Sequence, residues 1–378
     1  MTLGPPSPAS PSALLTWSGS APAKVNLFLR VLAREEGGYH QIETLFQALE
    51  LADRVELRIS WEGEPGGIAL ELEGVEEGAL GPPGENLVVR AARAFLEAAA
   101  RSFEGRPPGV GIHLTKRIPH GAGLGGGSSD AAAVLRGLAA LLPERIPPSH
   151  LQALAGRLGA DVPFFLADTP LALGWGRGDQ LLPLLPLPPR ELLLLVPSEG
   201  ISTPWAYGEL AAHRSQAGSG PPPARILDAG LLGDPDLRSK AEGPEGPSSA
   251  GPSLADPSPT GPRPARPSPT DPPPMDLPPM GPRSDATVRW AQVTALAENA
   301  FEAALHPHRP DLEELRRALE DAGASPALLS GSGSALFGVF ATPEEADAAA
   351  DALARGFPAV RRIRTRTRSR PDVPGSGG

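Results

Sequence analysis

A chain of mixed strands and helices, divided into two domains, is what this sequence implies. Its 378 residues exceed what one core commonly serves. Val110, Ile112 and Leu114 alternate with polar or small residues, the period of two that marks a strand. Ala131 to Leu142 is rich in alanine and leucine, a good helix, and Pro143 stops it. Strand and helix are joined by a stretch that holds Gly121, Gly123, Gly125, Gly126 and Gly127, then Ser128 and Ser129. Glycine lets backbone approach a ligand closely, and the first N–H groups of a helix face whatever occupies the turn. Such a turn is an anion site, and a loop this long suits a polyphosphate.

Two familiar phosphate loops do not fit. A P-loop ends Gly-Lys-Ser/Thr, and here Gly127 is followed by Ser128. The G-x-G-x-x-G spacing of dinucleotide sites is met by Gly121, Gly123 and Gly126. It also needs a second strand ending in an acidic residue about 20 positions on, where Glu144-Arg145-Ile146-Pro147-Pro148 cannot supply one. What remains, Pro119-x-x-x-Gly123-Leu124-Gly125 with Gly126, Gly127, Ser128 and Ser129, resembles the second motif of the galactokinase, homoserine kinase, mevalonate kinase and phosphomevalonate kinase superfamily.

Composition narrows the class. Formal net charge is −10, which argues against a nucleic-acid protein. There is no cysteine, hence no disulfide framework or thiolate nucleophile. Met1 to Ser20 has neither the basic region nor the apolar run of a signal peptide, and no stretch approaches the ~20 apolar residues of a membrane span. A cytoplasmic protein without a membrane or nucleic-acid partner is expected. Of 34 basic residues only Lys24, Lys116 and Lys240 are lysine, a compact point charge that arginine does not mimic.

In chain order, residues 1–20 read as a disordered tail rich in Pro, Ser and Ala. Ala21 to Leu32 is a strand with Val25, Leu27, Leu29 and Val31 on one face, Lys24 and Asn26 on the other. The second face is either solvated or a site. Leu51 to Ile59 and Ile68 to Leu72 are strands, and Asn86 starts a helix through Ala100. Ser149 caps a helix that Gly159 ends. Asp161 follows in Gly159-Ala160-Asp161-Val162-Pro163-Phe164-Phe165, either a turn residue or a fixed, partly shielded carboxylate. A hairpin turns around Gly174 to Asp179, and Leu192 to Val196 is a buried strand. Thr203 caps a helix with Pro204 at its first position.

Residues 214–284 hold nineteen of the 48 prolines, a density that no helix or strand survives, so a disordered insertion is expected. A helix resumes from Asp285 to about Leu305, and a second, capped by Asp311, runs to Ala322. Ser330 to Ser334 is a glycine turn feeding a strand, and Glu344 to Arg355 a helix. The last strand, Val360 to Arg368, alternates arginine with Ile or Thr, a charged face that guards a sheet edge.

Two further elements sharpen the resemblance. Pro22-Ala23-Lys24-Val25-Asn26-Leu27-Phe28-Leu29, taken with Gly38-Tyr39-His40 and Thr44-Leu45-Phe46-Gln47, resembles the 4-diphosphocytidyl-2-C-methyl-D-erythritol kinase family, as does Gly-Ala-Asp-Val-Pro-Phe at Asp161. The resemblance covers residues 21–213 and 285–368. It implies an α+β fold of two domains: an N-terminal nucleotide domain at 21–170 with a βαβ glycine loop, and a ferredoxin-like C-terminal domain at 171–368 interrupted by the insertion, before a tail at 369–378. It implies phosphorylation by ATP of the 2-hydroxyl of a small molecule, 4-diphosphocytidyl-2-C-methyl-D-erythritol, by a monomer or homodimer. Asp161 is then the base, with Lys24 beside it to lower the pKa of the attacking hydroxyl. Pro119, Gly121, Gly123, Leu124, Gly125, Gly126, Gly127, Ser128 and Ser129 bind ATP, and Ser128 or Ser129 ligates Mg²⁺. Asn26 and His40 hydrogen-bond the substrate. Tyr39 stacks on the cytosine, opposite Tyr207 or its neighbour Trp205.

Overall fold

The computed structural model describes residues 14–34, 40–62, 64–76, 78–143, 145–217 and 289–371. Among these, six strands form a first sheet. Strand β1 (Leu15–Arg34) pairs antiparallel with β2 (His40–Ser60) along its length. The other edge of β2 takes β4 (Gly109–Thr115) and then β5 (Leu171–Gly176). Outside them lie β3 (Ile68–Glu73), parallel to β4, and β6 (Gln180–Pro183), antiparallel to β5. β5 and β6, which follow residue 170, belong to this first sheet.

β1 begins at Leu15, inside the stretch read as a tail. Polar Ser18 and Ser20 hide the pattern, but Leu15 and Trp17 pair with Ile59 and Leu57. The Trp17 indole lies 2.6 Å from where a Cβ at Gly137 would stand, so that glycine admits the ring against the helix. Register shifts between Pro22 and Lys24 and between Asn26 and Phe28 interrupt the simple alternation expected there. Lys24 and Asn26 are 3% and 2% exposed, so their face is not solvated.

Helices α1 (Leu87–Ala98) and α2 (Gly126–Leu141) cover this sheet, with α3 (Pro148–Leu158) and α4 (Val162–Leu166) beside them. The Asn86 side chain accepts from the Val88 N–H and caps α1, as its residue type favours. α2 starts at Gly126 rather than Ala131, so the last two loop glycines and both serines form its first turn. Valine, leucine and phenylalanine from β2, β4, α1 and α2 close a core from which water is excluded.

The second half runs β7 (Glu191–Val196), α5 (Thr203–Ala217), α6 (Trp290–Leu296), α7 (Glu302–Leu305), α8 (Pro310–Asp321), β8 (Ala327–Leu329), β9 (Leu336–Phe340), α9 (Pro343–Gly356) and β10 (Arg361–Arg366). Its sheet order is β10-β7-β9-β8, the β-α-β-β-α-β arrangement of a ferredoxin-like domain. β10 is an edge, as its arginines suggested. Arg364 and Arg366 pair with Glu191, and Arg364 also with Asp347.

Some local expectations fail. α3 has Pro147, not Ser149, at its cap, with Pro148 preset for the first turn. Ser202 accepts from Trp205 N–H at the start of α5, while Thr203 turns to Ser332. Arg309, not Asp311, precedes α8, and the two form a bidentate pair. The helix expected up to Leu305 breaks between α6 and α7, where backbone at 298–300 pairs with Leu29 of β1. α5 continues to Ala217, and most of the expected insertion lies outside the described residues.

Candidate active site

β1 enters the middle of the molecule carrying Lys24 and Asn26. The Lys24 N–H donates to the carbonyl of Leu124, which ties this point of the strand to the glycine loop. Its ammonium donates to Asn26 Oδ1 at 2.6 Å, and Asn26 Nδ2 donates to Thr44 Oγ1 at 2.7 Å. Thr44 in turn donates to the Phe28 carbonyl, a chain of bonds that fixes each rotamer. Asp161 stands at the cap position of α4, just past the glycine that ends α3. Its Oδ2 lies 3.6 Å from Lys24 Nζ, and its side chain is 30% exposed, so it faces open space while the lysine does not. Burial pushes the Lys24 ammonium below its usual pKa, partly offset by Asp161.

The loop above this pair needs glycine for steric reasons. Gly123 has φ 78°, and a Cβ there would lie 2.1 Å from the Ser330 carbonyl oxygen. Gly125 has φ 72°, and its Cβ would meet Phe165 at 2.9 Å and the Lys24 stem at 3.0 Å. The second glycine turn therefore touches the first, and Ser330 Oγ donates to the Gly123 carbonyl.

A cleft of ≈ 880 Å³ opens over these groups. Lys24, Asn26, His40, Gly123, Gly125, Ser128, Asp161 and Tyr207 all line it, so eight residues singled out in the sequence converge. Pro119, Gly121, Gly126 and Gly127 belong to the same loop and first helical turn without lining the cleft. Leu124 and Ser129 are 1% and 0% exposed; they contribute from beneath, not from the wall. Tyr39 lies outside the described residues. Tyr207 stacks on His40 with ring centroids 4.6 Å apart and meets Phe301 edge-on at 4.9 Å. Burial, with Asp161 nearby, pushes the Tyr207 phenol up to about 12. Trp205 faces His308 instead and is not among the lining residues.

Sequence reading missed several wall residues. Thr203, Phe301, Arg177, Asp179 and Ser332 line the same cleft. Only the glycines around Arg177 and Ser332 hinted at them; Phe301 gave no signal, since its neighbours in space are far away in sequence.

No described cluster of three His, Asp or Glu side chains that would hold a metal exists beside the cleft. The Ser128 hydroxyl is the donor that reaches it, 3.8 Å from a Cβ built on Gly159, whereas Ser129 Oγ is buried without a partner.

A glycine loop opening a helix, a buried lysine, a half-buried carboxylate and a ferredoxin-like second half together form the frame of a small-molecule kinase. Family models agree: residues 86–169 match the GHMP kinases N terminal domain and residues 289–359 the GHMP kinases C terminal. A 4-diphosphocytidyl-2-C-methyl-D-erythritol kinase from Thermus thermophilus is 37% identical over 88% of this chain and 91% of that protein. One from Solibacter usitatus is 34% identical over 84% and 79%. The chain belongs to the 4-diphosphocytidyl-2-C-methyl-D-erythritol kinase family. A crystal structure of 4-(cytidine 5'-diphospho)-2C-methyl-D-erythritol kinase superposes with TM-score 0.59 at 34% identity, covering 93% of this chain and 98% of that one. Mevalonate kinase from L. major, at 13% identity and TM-score 0.57 over 98% and 99%, shares the fold.

Proposed function

We propose that this chain transfers the γ-phosphoryl group of ATP to the 2-hydroxyl of 4-diphosphocytidyl-2-C-methyl-D-erythritol. The observation that carries the reading is the Lys24–Asp161 pair at 3.6 Å, which lines one cleft together with the glycine loop and the His40–Tyr207 rings. Phosphoryl transfer is mostly positioning and charge stabilisation, so three tasks are enough.

The loop from Gly121 to Ser128 and the first turn of α2 hold the triphosphate through backbone N–H groups. The Ser128 hydroxyl would help hold a Mg²⁺ ion, which would supply positive charge to shield the phosphates. Asp161 accepts the proton of the attacking hydroxyl. The Lys24 ammonium is poorly solvated and meets one carboxylate at 3.6 Å, so it gains most when negative charge grows on the transferring group. Asn26 holds that ammonium in place and keeps its amide toward the acceptor.

His40 and Tyr207 form the base end. Their rings touch at 4.6 Å, so a cytosine that stacks on Tyr207 takes the place of the imidazole, which moves to the base edge. Tyr39, next to His40 in sequence, is the second residue proposed to stack on the cytosine. Bound at this end, the substrate is pinned at one terminus while the alcohol reaches Asp161.

The decisive test incubates purified protein and Mg-ATP with the cytidyl acceptor, then separately with homoserine and with mevalonate, and measures ADP. ADP is expected with the cytidyl acceptor alone; ADP with either of the others in its place would sink the assignment.

A further inference from the structure

We propose that Asn299 is a positioning residue that sets the second glycine turn, at 330–334, against Lys24, a role that rests on the reading of Lys24 and Asp161 as the transfer site. Asn299 is 5% exposed and lies between α6 and α7. Its Nδ2 donates to the carbonyls of Leu329 and Gly331, each at 2.8 Å, and its Oδ1 accepts the Phe301 N–H at 3.0 Å. Two carbonyls on one side and an N–H on the other fix which way the amide points. Glu302 completes the grip: its Oε1 accepts the Leu329 N–H at 2.7 Å.

What the amide holds is the wall of the site. Gly331 has φ 58°, and a Cβ there would stand 3.2 Å from Lys24 Nζ, 3.2 Å from the Gly123 carbonyl oxygen and 3.6 Å from Asn26 Oδ1. Any side chain at this position would thus crowd the ammonium and the phosphate loop together, and Ser330 of the same turn is bonded to that loop. On its other side the same segment is tied to β1. Leu29 N–H donates to the Glu298 carbonyl, and Ala300 N–H to the Leu29 carbonyl. Asn299 is therefore a strut between the strand that carries Lys24 and the turn that faces it. Phe301, two residues on, braces Tyr207.

A packing role alone does not call for this residue. An amide buried this deeply costs desolvation that an apolar side chain avoids, and only its three bonds offset that cost. Asp in its place keeps the shape but sets oxygen against two carbonyl oxygens.

The test compares the full chain carrying Asn299→Ala or Asn299→Asp with Leu315→Val, a core change in the same half that leaves the strut intact. Turnover, ATP affinity by calorimetry and Tm are read for each. Misplacing the turn by about an ångström is expected to lower kcat at least ~30-fold in both Asn299 variants while ATP affinity stays within about twofold. Leu315→Val should keep kcat near wild type whatever its Tm. The strut is overturned if the Asn299 variants stay within about threefold of wild type, or if kcat follows Tm equally in all three. Should neither variant fold, Asn299→Ser, which keeps one donor, is read against the same limits. Wild type that fails to phosphorylate the cytidyl acceptor instead defeats the site assignment; active wild type with active variants defeats the strut alone.

Discussion

Lys24 and Lys116 both lie against one glycine loop, beside Gly125 and Gly126, and both are nearly out of water, at 3% and 9% exposure. Lys24 has a single carboxylate at 3.6 Å, itself partly wet, and burial wins: its pKa falls. Lys116 is shared by Asp53 and Asp130, with Asp130 at 2.7 Å, and those side chains are 0% and 3% exposed. There the paired Asp53 and Asp130 carboxyl groups, which between them keep one proton near neutral pH, outweigh the loss of solvent, and the ammonium is held above its usual pKa. The lesson is in the count of fixed partners. A saturated ammonium has nothing left for a ligand and serves the fold; an under-compensated one facing a cleft gains when a substrate brings charge.

The harshest way to break that contrast is Asp161→Asn. It should lower turnover on the order of 10³-fold while ATP still binds, since a carboxamide accepts no proton; an ADP-release assay with parallel calorimetry decides, and wild-type turnover would remove Asp161 from the chemistry. Next, Lys116→Met leaves two buried acids without their cation and should cost about 3–5 kcal/mol of stability in urea melts. Lys24→Met should cost less stability yet abolish turnover; if the two variants lose stability and activity alike, the division of labour is wrong. Tyr207→Ala is milder: the cytidyl substrate should bind weaker by about 1–3 kcal/mol, with KM for ATP unmoved.

The smallest effect sharpens the sealed side. Burial and Asp53 push the Asp130 carboxyl from 3.8 up to about 8. The folded state then holds a proton that the unfolded chain has lost, so this group's contribution is complete below 3.8 and disappears as pH rises toward about 8. Thermal melts at pH 5 and pH 8 should show Asp130→Asn gaining on wild type at the higher pH. A constant difference would mean that Asp130 stays ionised throughout.

What could be read ahead of the structure was what lies close together along the chain. Lys24 and Asn26 share one strand, the loop glycines share one turn, and Asp161 sits among neighbours that resemble a known family. Partners far apart in sequence were invisible. Lys116 meets Asp53 across 63 positions, and Asn299 meets Leu329 and Gly331 only once β8 is folded. The start of β1 at Leu15 escaped for a related reason: polar Ser18 and Ser20 mask a strand whose register is set by β2 and whose Trp17 is sheltered by α2. Choosing Tyr207 over Trp205 for the cleft likewise required α5 to be placed against His40.

β1 and β2 also reach out of their own sheet. Besides the pairing of Leu29 with Glu298 and Ala300, Leu51 N–H donates to Thr365 Oγ1 and Arg368 N–H to the Ala48 carbonyl. Stitched by main chain at two separate places, the halves cannot swing apart like a clamshell without breaking hydrogen bonds on both seams.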